Sequence, residues 1–585
     1  MKVKNKIVIL LLSLGAIFAT TVISCKKDFL NVTKPNVYSA DNYPASVDDL
    51  DQSLNGLYGR FRSGFYNPEN YRFFAICRDH SGDQAYQRPD FNSATQLSYD
   101  NSNIEVYDLW SQTYENIAKC VSVIEDVQNF KTKNPDLSSA DLIRINLIEG
   151  QARFIRAWNY MIVINYFGET MITNEADKAK MGVPILRKLA LSLEETNVSR
   201  STIGEVWDYI ILDLKTSEIL LNGKTWAGND IARVSTWAVK GMLGKAYVYT
   251  QQWSLASDKL KEVIDGSGKK LVAFNIYKDM FNGKNEFNTE SLLELNAIND
   301  LNQLYNSDKN VGQRLAIYLG TAYLVPNPRN PKVPTVKKNG YGNFFVHDKN
   351  LVRYGFTDTA TTEATQSNPV FLAKSLNLRN TKAVDPRLWV YSFQPYLDSI
   401  RLDANPARPV VKMPADGIST EGLPAWCFAK YILKDLPWES NLESGINLYI
   451  LRLADIYLLY AEALVNTGQN TLAIEYINKV KRRAYNQANV NTPSLFDYKS
   501  LSDVTMASTD PVLKNDPLKY ERWAEFLAEG TWWFDVCRWK LGQSEATFYE
   551  KVNTGSLIWQ DKKYALPIPI RELNANKNMK PNPGY

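Results

Sequence analysis

Histidine is almost missing from this chain: there are two in 585 residues, His80 and His347, far apart in sequence. A multi-histidine metal centre or a Ser-His-Asp triad has little to draw on, and no metal or cofactor is expected. An excess of one charge is missing too. Lys+Arg total 67 against Asp+Glu 63, a formal +4, which gives no reason to expect nucleic acid as a partner. After the amino terminus no run approaches the roughly 18 uninterrupted apolar residues of a membrane-spanning helix. Cysteine is sparse, and its five positions follow neither a small disulfide scaffold nor a zinc pattern. Cys77, Cys120, Cys427 and Cys537 are expected as buried thiols.

Aromatic residues are abundant, at 12% of the chain with 33 Tyr, 23 Phe and 14 Trp. A core uses only some of them, so exposed rings for ligand stacking are expected. With 45% hydrophobic and 22% charged residues, the chain can bury a sizeable core and is no disordered tail. A prior of roughly 150 residues per domain would allow several units, but helical-repeat chains exceed that length as one body.

The amino terminus carries a leader pattern. Lys2, Lys4 and Lys6 form a positive start, Ile7 to Ala19 is apolar but short for a span, and Val22-Ile23-Ser24-Cys25 follows. Small residues before a cysteine predict a lipoprotein signal over 1–24, with cleavage before Cys25 and acylation of its thiol and new amino terminus. Losing three lysines and no acid leaves the mature chain near neutral.

Apolar residues then recur at helical period. In Leu451–Val465, Leu453, Ile456, Tyr457, Tyr460 and Leu464 share a face; Gly468 marks a stop, and Thr471 is placed to cap a second helix carrying Leu472, Ala473, Tyr476, Ile477 and Val480. Trp237–Ile264 repeats this antiparallel pair. Both fit the tetratricopeptide pattern of paired small residues, Gly244 with Ala256 and Ala461 with Ala473. Further helices are predicted at Ile104–Val127, Leu142–Tyr166, Ile203–Leu221 and Lys519–Trp539. The pairs are too far apart for a continuous solenoid, so large insertions must project from the frame. Segments 300–350 and 355–445 are rich in Asn, Pro, Gly and Thr, with short apolar runs at Leu292–Leu295 and Trp389–Phe393. Pro328, Pro331 and Pro334 predict ordered loop rather than helix.

Several pieces, in order, resemble one family. They are Cys25-Lys26-Lys27-Asp28-Phe29-Leu30; Gly150-Gln151-Ala152-Arg153-Phe154-Ile155-Arg156-Ala157 through Tyr166-Phe167-Gly168; and Leu451-Arg452-Leu453-Ala454-Asp455 with Tyr460-Ala461-Glu462-Ala463-Leu464. Glu521-Arg522-Trp523-Ala524-Glu525-Phe526 follows, with Glu529-Gly530, Trp533-Phe534-Asp535 and Arg538-Trp539. Leu566-Pro567-Ile568-Pro569 and Asn582-Pro583-Gly584-Tyr585 complete the set. Together they resemble the SusD/RagB nutrient-binding lipoproteins of Bacteroidota.

The resemblance implies a mainly α fold, with tetratricopeptide-like pairs in a right-handed superhelical frame, large irregular insertions and a few short strands. It implies one domain over 25–585, its frame mainly 45–265 and 446–540 and its ligand-binding insertions mainly 66–100 and 285–445. It also implies a non-enzymatic protein on the outer membrane, held by acylated Cys25, facing the exterior. Such a protein binds oligosaccharide, or less often peptide, for a SusC-like TonB-dependent transporter.

For the ligand site, the polar segment around Asp79, Asp83, Gln84, Tyr86 and Arg88 mixes a ring with hydrogen-bonding groups. A ring covers the C–H face of a sugar while polar side chains bond its hydroxyl rim. The resemblance implies that this segment meets a mid-chain one, bringing Tyr323, Asn343, Phe344 or Trp389 near Tyr86. His80 is read as a solvated loop residue.

A rival reading is a glycoside hydrolase using Glu521, Glu525 and Glu529, which recur every four residues on one predicted helix face. Salt bridges to arginines such as Arg522 or Arg538 are the plainer expectation. Asp455 and Arg452 are read as packing determinants between helical pairs, and Trp532, Trp533 and Trp539 as core. A scaffold binding only proteins is the third reading.

Overall fold

In the computed structural model the described residues are 43–66, 98–297, 315, 319, 322–327, 330–338, 346, 348–357, 363–401, 410–412, 426–432, 444–552 and 558–585. Most of them are helical. Helix α1 spans Val47–Tyr66, α2 Ile104–Lys133, α3 Ser139–Phe167, α4 Ile203–Leu220, α5 Thr236–Tyr249 and α6 Trp253–Gly266. After the insertions come α7 Leu453–Asn466, α8 Asn470–Ala484, α9 Pro517–Phe526 and α10 Trp532–Arg538.

Local chemistry fixes several starts. At α1, Asp49 N donates to Ser46 Oγ while Ser46 N donates to Asp49 Oδ2, a reciprocal cap. Ser138 caps α3, and Thr202 with Glu205 forms the same reciprocal box on α4.

Both predicted pairs form, α5 with α6 and α7 with α8. Their closeness follows from absent side-chain atoms. A Cβ on Gly244 would lie 2.5 Å from Leu260 Cδ2 of α6, and one on Gly241 would lie 2.6 Å from Leu451 Cδ2. Helix α7 was expected to bury one face. It buries nearly all round, Leu458, Leu459, Ala461 and Ala463 included, because α5, α6, α8 and α9 all pack against it.

Several expectations are corrected. Gly468 ends α7 with positive φ, but the cap of α8 is Gln469, and Thr471 lies inside the helix. Leu472 is 40% exposed rather than core. The predicted Lys519–Trp539 helix is two helices, interrupted between Phe526 and Trp532, where Ala528 and Gly530 both take positive φ. Glu529 therefore belongs to a turn rather than to the helix face of Glu521 and Glu525.

The insertions also hold more regular structure than their composition suggested. Ala322–Asn327 and Asn330–Lys338 pair antiparallel, which puts Pro331 and Pro334 in a strand, while Pro328 lies outside the described residues. In a two-stranded ribbon each strand has an unpaired edge, where a missing N–H is tolerated. Pro369–Thr381 is a helix, begun by Asn368 as cap and proline in its first turn. The run at Leu292–Leu295 is strand Ser291–Leu295, paired antiparallel with Leu448–Arg452 directly before α7.

Two motif pieces far apart in sequence meet at the end of α3. Leu566 N donates to Tyr166 O at 2.6 Å, and Asn582 Nδ2 donates to Phe167 O and Leu566 O at 3.0 and 2.8 Å. Arg200 adds donations to Phe167 O and Asn582 Oδ1. Arg156 links α3 to α4 through a buried fork to Asp213 at 2.7 and 2.8 Å. Among the cysteines, Cys120, Cys427 and Cys537 are buried thiols; Cys77 lies outside the described residues.

Candidate functional site

The surroundings of Glu521, Glu525 and Glu529 decide what these carboxylates can do. Glu521 and Glu525 are fully buried and Glu529 is 3% exposed. Glu525 accepts from Arg452 at 2.7 Å and from Arg483; Glu529 accepts from Arg452 at 2.7 Å and Lys430 at 2.9 Å. Glu290, on the strand side, closes the cluster through Arg452 at 2.8 Å and Arg483 at 2.9 Å. Glu521 belongs to a neighbouring group with Arg387 at 2.7 Å, Asp385 and Tyr498.

The plainer expectation of ion pairing thus holds in kind, but with other partners. Arg522 bonds Asp535 at 2.8 Å and Asp455 at 3.1 Å, and Arg538 bonds Glu462 at 2.5 Å. Asp455 also accepts from Lys245 of α5 at 2.9 Å, so it ties two helical pairs together as read from the sequence. Burial opposes ionisation of Glu525, yet Arg483, Arg452 and Arg387 pull its pKa down to about 2. Glu525 and Glu529 are thus held as ions by buried cations, whereas burial pushes Glu521 upward against the pull of Arg387. Trp532 and Trp533 are core residues, and Trp539 is half-buried over Arg538.

Of the residues expected to bind ligand, Trp389 is described in full. It lies in the short helix Leu388–Tyr391, held by buried Leu388, Val390 and Tyr391. The Arg379 guanidinium stacks 4.5 Å from its ring and is fixed by a fork to Asp398 at 2.7 and 2.9 Å. The half-buried ring is therefore locked in orientation, and its Nε1 is buried without an acceptor among the described residues. Tyr323 falls in strand Ala322–Asn327, opposite Lys337. Asp79, Asp83, Gln84, Tyr86, Arg88, Asn343 and Phe344, with both histidines, lie outside the described residues, as does the expected meeting of Tyr86 with the mid-chain rings.

A recess of about 500 Å³ was not anticipated. One wall is a face of α2 carrying Tyr107, Trp110, Ser111, Tyr114 and Ala118. The other is the extended segment Pro184–Ala190, with Glu195, Thr196 and Val198 and, from the carboxy-terminal region, Glu572 and Asn576. Tyr114 donates to Pro184 O at 3.0 Å, Tyr160 accepts from Leu186 N at 2.7 Å, and Glu125 accepts from Leu189 N at 3.2 Å. Trp110 packs edge-on to Phe167 at 4.9 Å. The spacing of Tyr107, Trp110 and Tyr114 is a visible signal in the sequence, but its opposite wall comes from remote segments.

At the edge of the insertions, Glu286 accepts from Asn447 N at 2.7 Å, and Glu294 accepts from Asn447 Nδ2 at 2.9 Å and Phe287 N at 2.7 Å. Burial, with Glu294 nearby, pushes Glu286 up to about 7. An acid whose folded pKa is raised stabilises the fold increasingly as pH falls from about 7 towards the ordinary carboxylate range, and opposes it above. Glu286→Gln should therefore raise the thermal midpoint at pH 8 and make no difference near pH 4.5. After allowance for solvent, the gain at pH 8 is on the order of 1–2 kcal/mol. Equal midpoints at both pH values would remove Glu286 as the cause.

Comparison with known proteins adds the following. Residues 426–585 match the SusD family, and residues 28–248 match a family described as starch-binding, associating with outer membrane. A SusD-like protein of Formosa agariphila is 22% identical, over 98% of this chain and 97% of its own length. Another from Bacteroides ovatus is 23% identical over 89% and 82%. Among solved structures, a laminarin binding SusD-like protein matches with TM-score 0.64 at 20% identity, covering 92% of this chain and 99% of its own. A SusD-like protein from Bacteroides fragilis matches with TM-score 0.67 at 19% identity, covering 94% and 99%. These likenesses agree with the mainly helical fold. Among the described residues no helix is long and apolar enough to cross a membrane.

Proposed function

This chain is a SusD homologue, and from that premise we propose that it captures oligosaccharide at the cell surface and passes it to a SusC-like TonB-dependent transporter. The observation that carries this reading is the match of residues 28–248 to a starch-binding family associated with the outer membrane. The sequestered state of Glu521, Glu525 and Glu529 favours binding over hydrolysis, since each is buried and bonded to cations.

Recognition falls to the insertions over 66–100 and 285–445, where Asp79, Asp83, Gln84, Tyr86, Arg88, Tyr323, Asn343, Phe344 and Trp389 supply rings and hydrogen-bonding groups. Acylated Cys25 holds the protein in the outer membrane, facing outward. Keeping ligand beside the transporter raises its effective concentration, so modest affinity suffices.

A glycan array with the purified full-length protein, followed by chromatography of each bound glycan, tests this. Saturable binding with glycan length unchanged is expected; shortened products would instead establish the hydrolase reading. No bound glycan together with stable transporter co-purification would establish the scaffold reading. Trp389→Ala should weaken binding roughly tenfold, the scale of one lost aromatic platform; titration calorimetry giving the same affinity as the unaltered protein would take Trp389 out of the site.

A further inference from the structure

The recess between α2 and Pro184–Ala190 has the make-up of a ligand site, and none of its residues belongs to the insertions. Its two tyrosines are held in place before any ligand arrives. Tyr114 donates its hydroxyl to Pro184 O at 3.0 Å, so it offers ring rather than hydroxyl. The Arg571 guanidinium lies 4.5 Å from the Tyr107 ring. Rings fixed in advance lose little freedom on binding. Trp110, 3% exposed, backs them within the core.

The rim is polar but mixed in sign. Ser111 carries a hydroxyl that donates to Asp108 O at 3.4 Å, Glu572 a carboxylate that accepts from Asn576 Nδ2 at 3.2 Å, and Arg187 an exposed guanidinium 5.2 Å from the Tyr209 ring. Glu195 is already paired with Lys188 at 3.1 Å. A phosphate or other anion would meet Glu195 and Glu572, while a hydrocarbon would displace water from the hydroxyl and charged groups of the rim without replacing its hydrogen bonds. Ring faces flanked by separate donors and acceptors suit a neutral molecule with apolar C–H faces and hydroxyl edges. The volume, about 500 Å³, lies within the roughly 300–1,000 Å³ of small-ligand clefts.

We propose that this recess is a second carbohydrate-binding site, separate in the chain from the insertions, which takes a short neutral oligosaccharide. The proposal rests on the glycan-binding reading above and adds to it a second place of attachment. Two sites on one protein let a longer glycan rebind at one before leaving the other, which slows its loss.

The test is titration calorimetry with native mass spectrometry on the full chain, using neutral gluco-, xylo-, manno- and galacto-oligosaccharides of three to six residues. Two bound molecules per protein are expected for at least one of these probes. Ser111→Trp, which fills the recess, should remove one of them and leave the other. Tyr107→Ala, which takes a ring away without adding bulk, should weaken the same site roughly tenfold, and Trp389→Ala should leave it intact. Unchanged stoichiometry and affinity in both recess variants would overturn this site while leaving the proposed function standing. A single bound sugar that Trp389→Ala removes and neither recess variant affects would overturn it as well. Absence of binding to every probe by the unaltered protein would fail the functional reading and this site with it.

Discussion

Arg452→Ala is expected to cost about 3–5 kcal/mol of stability, the scale on which a buried ion group fails when one partner is removed. Arg452 is 1% exposed and bonds Glu290, Glu525 and Glu529 at 2.7 to 2.9 Å, with a further donation to Glu525 O at 3.1 Å. Its guanidinium also lies 4.4 Å from the Phe526 ring. Without it, three buried carboxylates are left to Arg483, Lys430 and Arg387, the last 3.6 Å from Glu525. Domains are stable by only about 5–15 kcal/mol, so this one change would remove a large share.

Urea unfolding should show a lower midpoint with the slope retained. A midpoint within about 1 kcal/mol of the unaltered protein would mean that the cluster relaxes or admits water, and would refute the ion-group account. The acid side has a definite sign. Glu525, held near 2 by its arginines, contributes stability above the ordinary carboxylate range, and that contribution is lost as pH falls towards 2.

Cys25→Ala is expected to move the protein from the membrane pellet to the soluble fraction almost completely. Each acyl methylene buried in a bilayer contributes about 0.8 kcal/mol; a single chain holds a protein only marginally, whereas two or more anchor it firmly. No described helix offers another means of spanning a membrane. Cell fractionation, with mass spectrometry of the amino-terminal peptide, decides it. A variant still extracted only by detergent, or an unaltered protein whose Cys25 carries no acyl group, would sink the anchor proposal.

The helical frame was largely legible because its residues repeat at helical period and its small residues recur in both pairs. The family motifs were legible as strings, but their chemistry was not. Arg452 and Glu525 were visible in the sequence, yet the partners that complete their cluster, Glu290, Lys430 and Arg483, come from distant segments and follow no local pattern. The break at Ala528–Gly530 was misread for a related reason. Glutamates at four-residue spacing suggest a continuous helix, whereas the packing around Arg452 requires Glu529 to turn back. Asn368-Pro369 was a readable helix start inside a segment that composition alone assigned to loop. Of the candidate site, the locked platform at Trp389 depends on Arg379 and Asp398, which nothing in the local sequence connects.

The tight fit at Gly241 and Gly244 has a mechanical consequence. One helix is gripped on two sides, by Leu451 and Ile456 against Gly241 and by Leu260 against Gly244. Sliding or tilting α5 would drive its backbone into those side chains, so neighbouring helical pairs resist shear and act as a chassis. A shear applied to α5 is therefore passed directly to Leu260, Leu451 and Ile456 rather than absorbed between the helices.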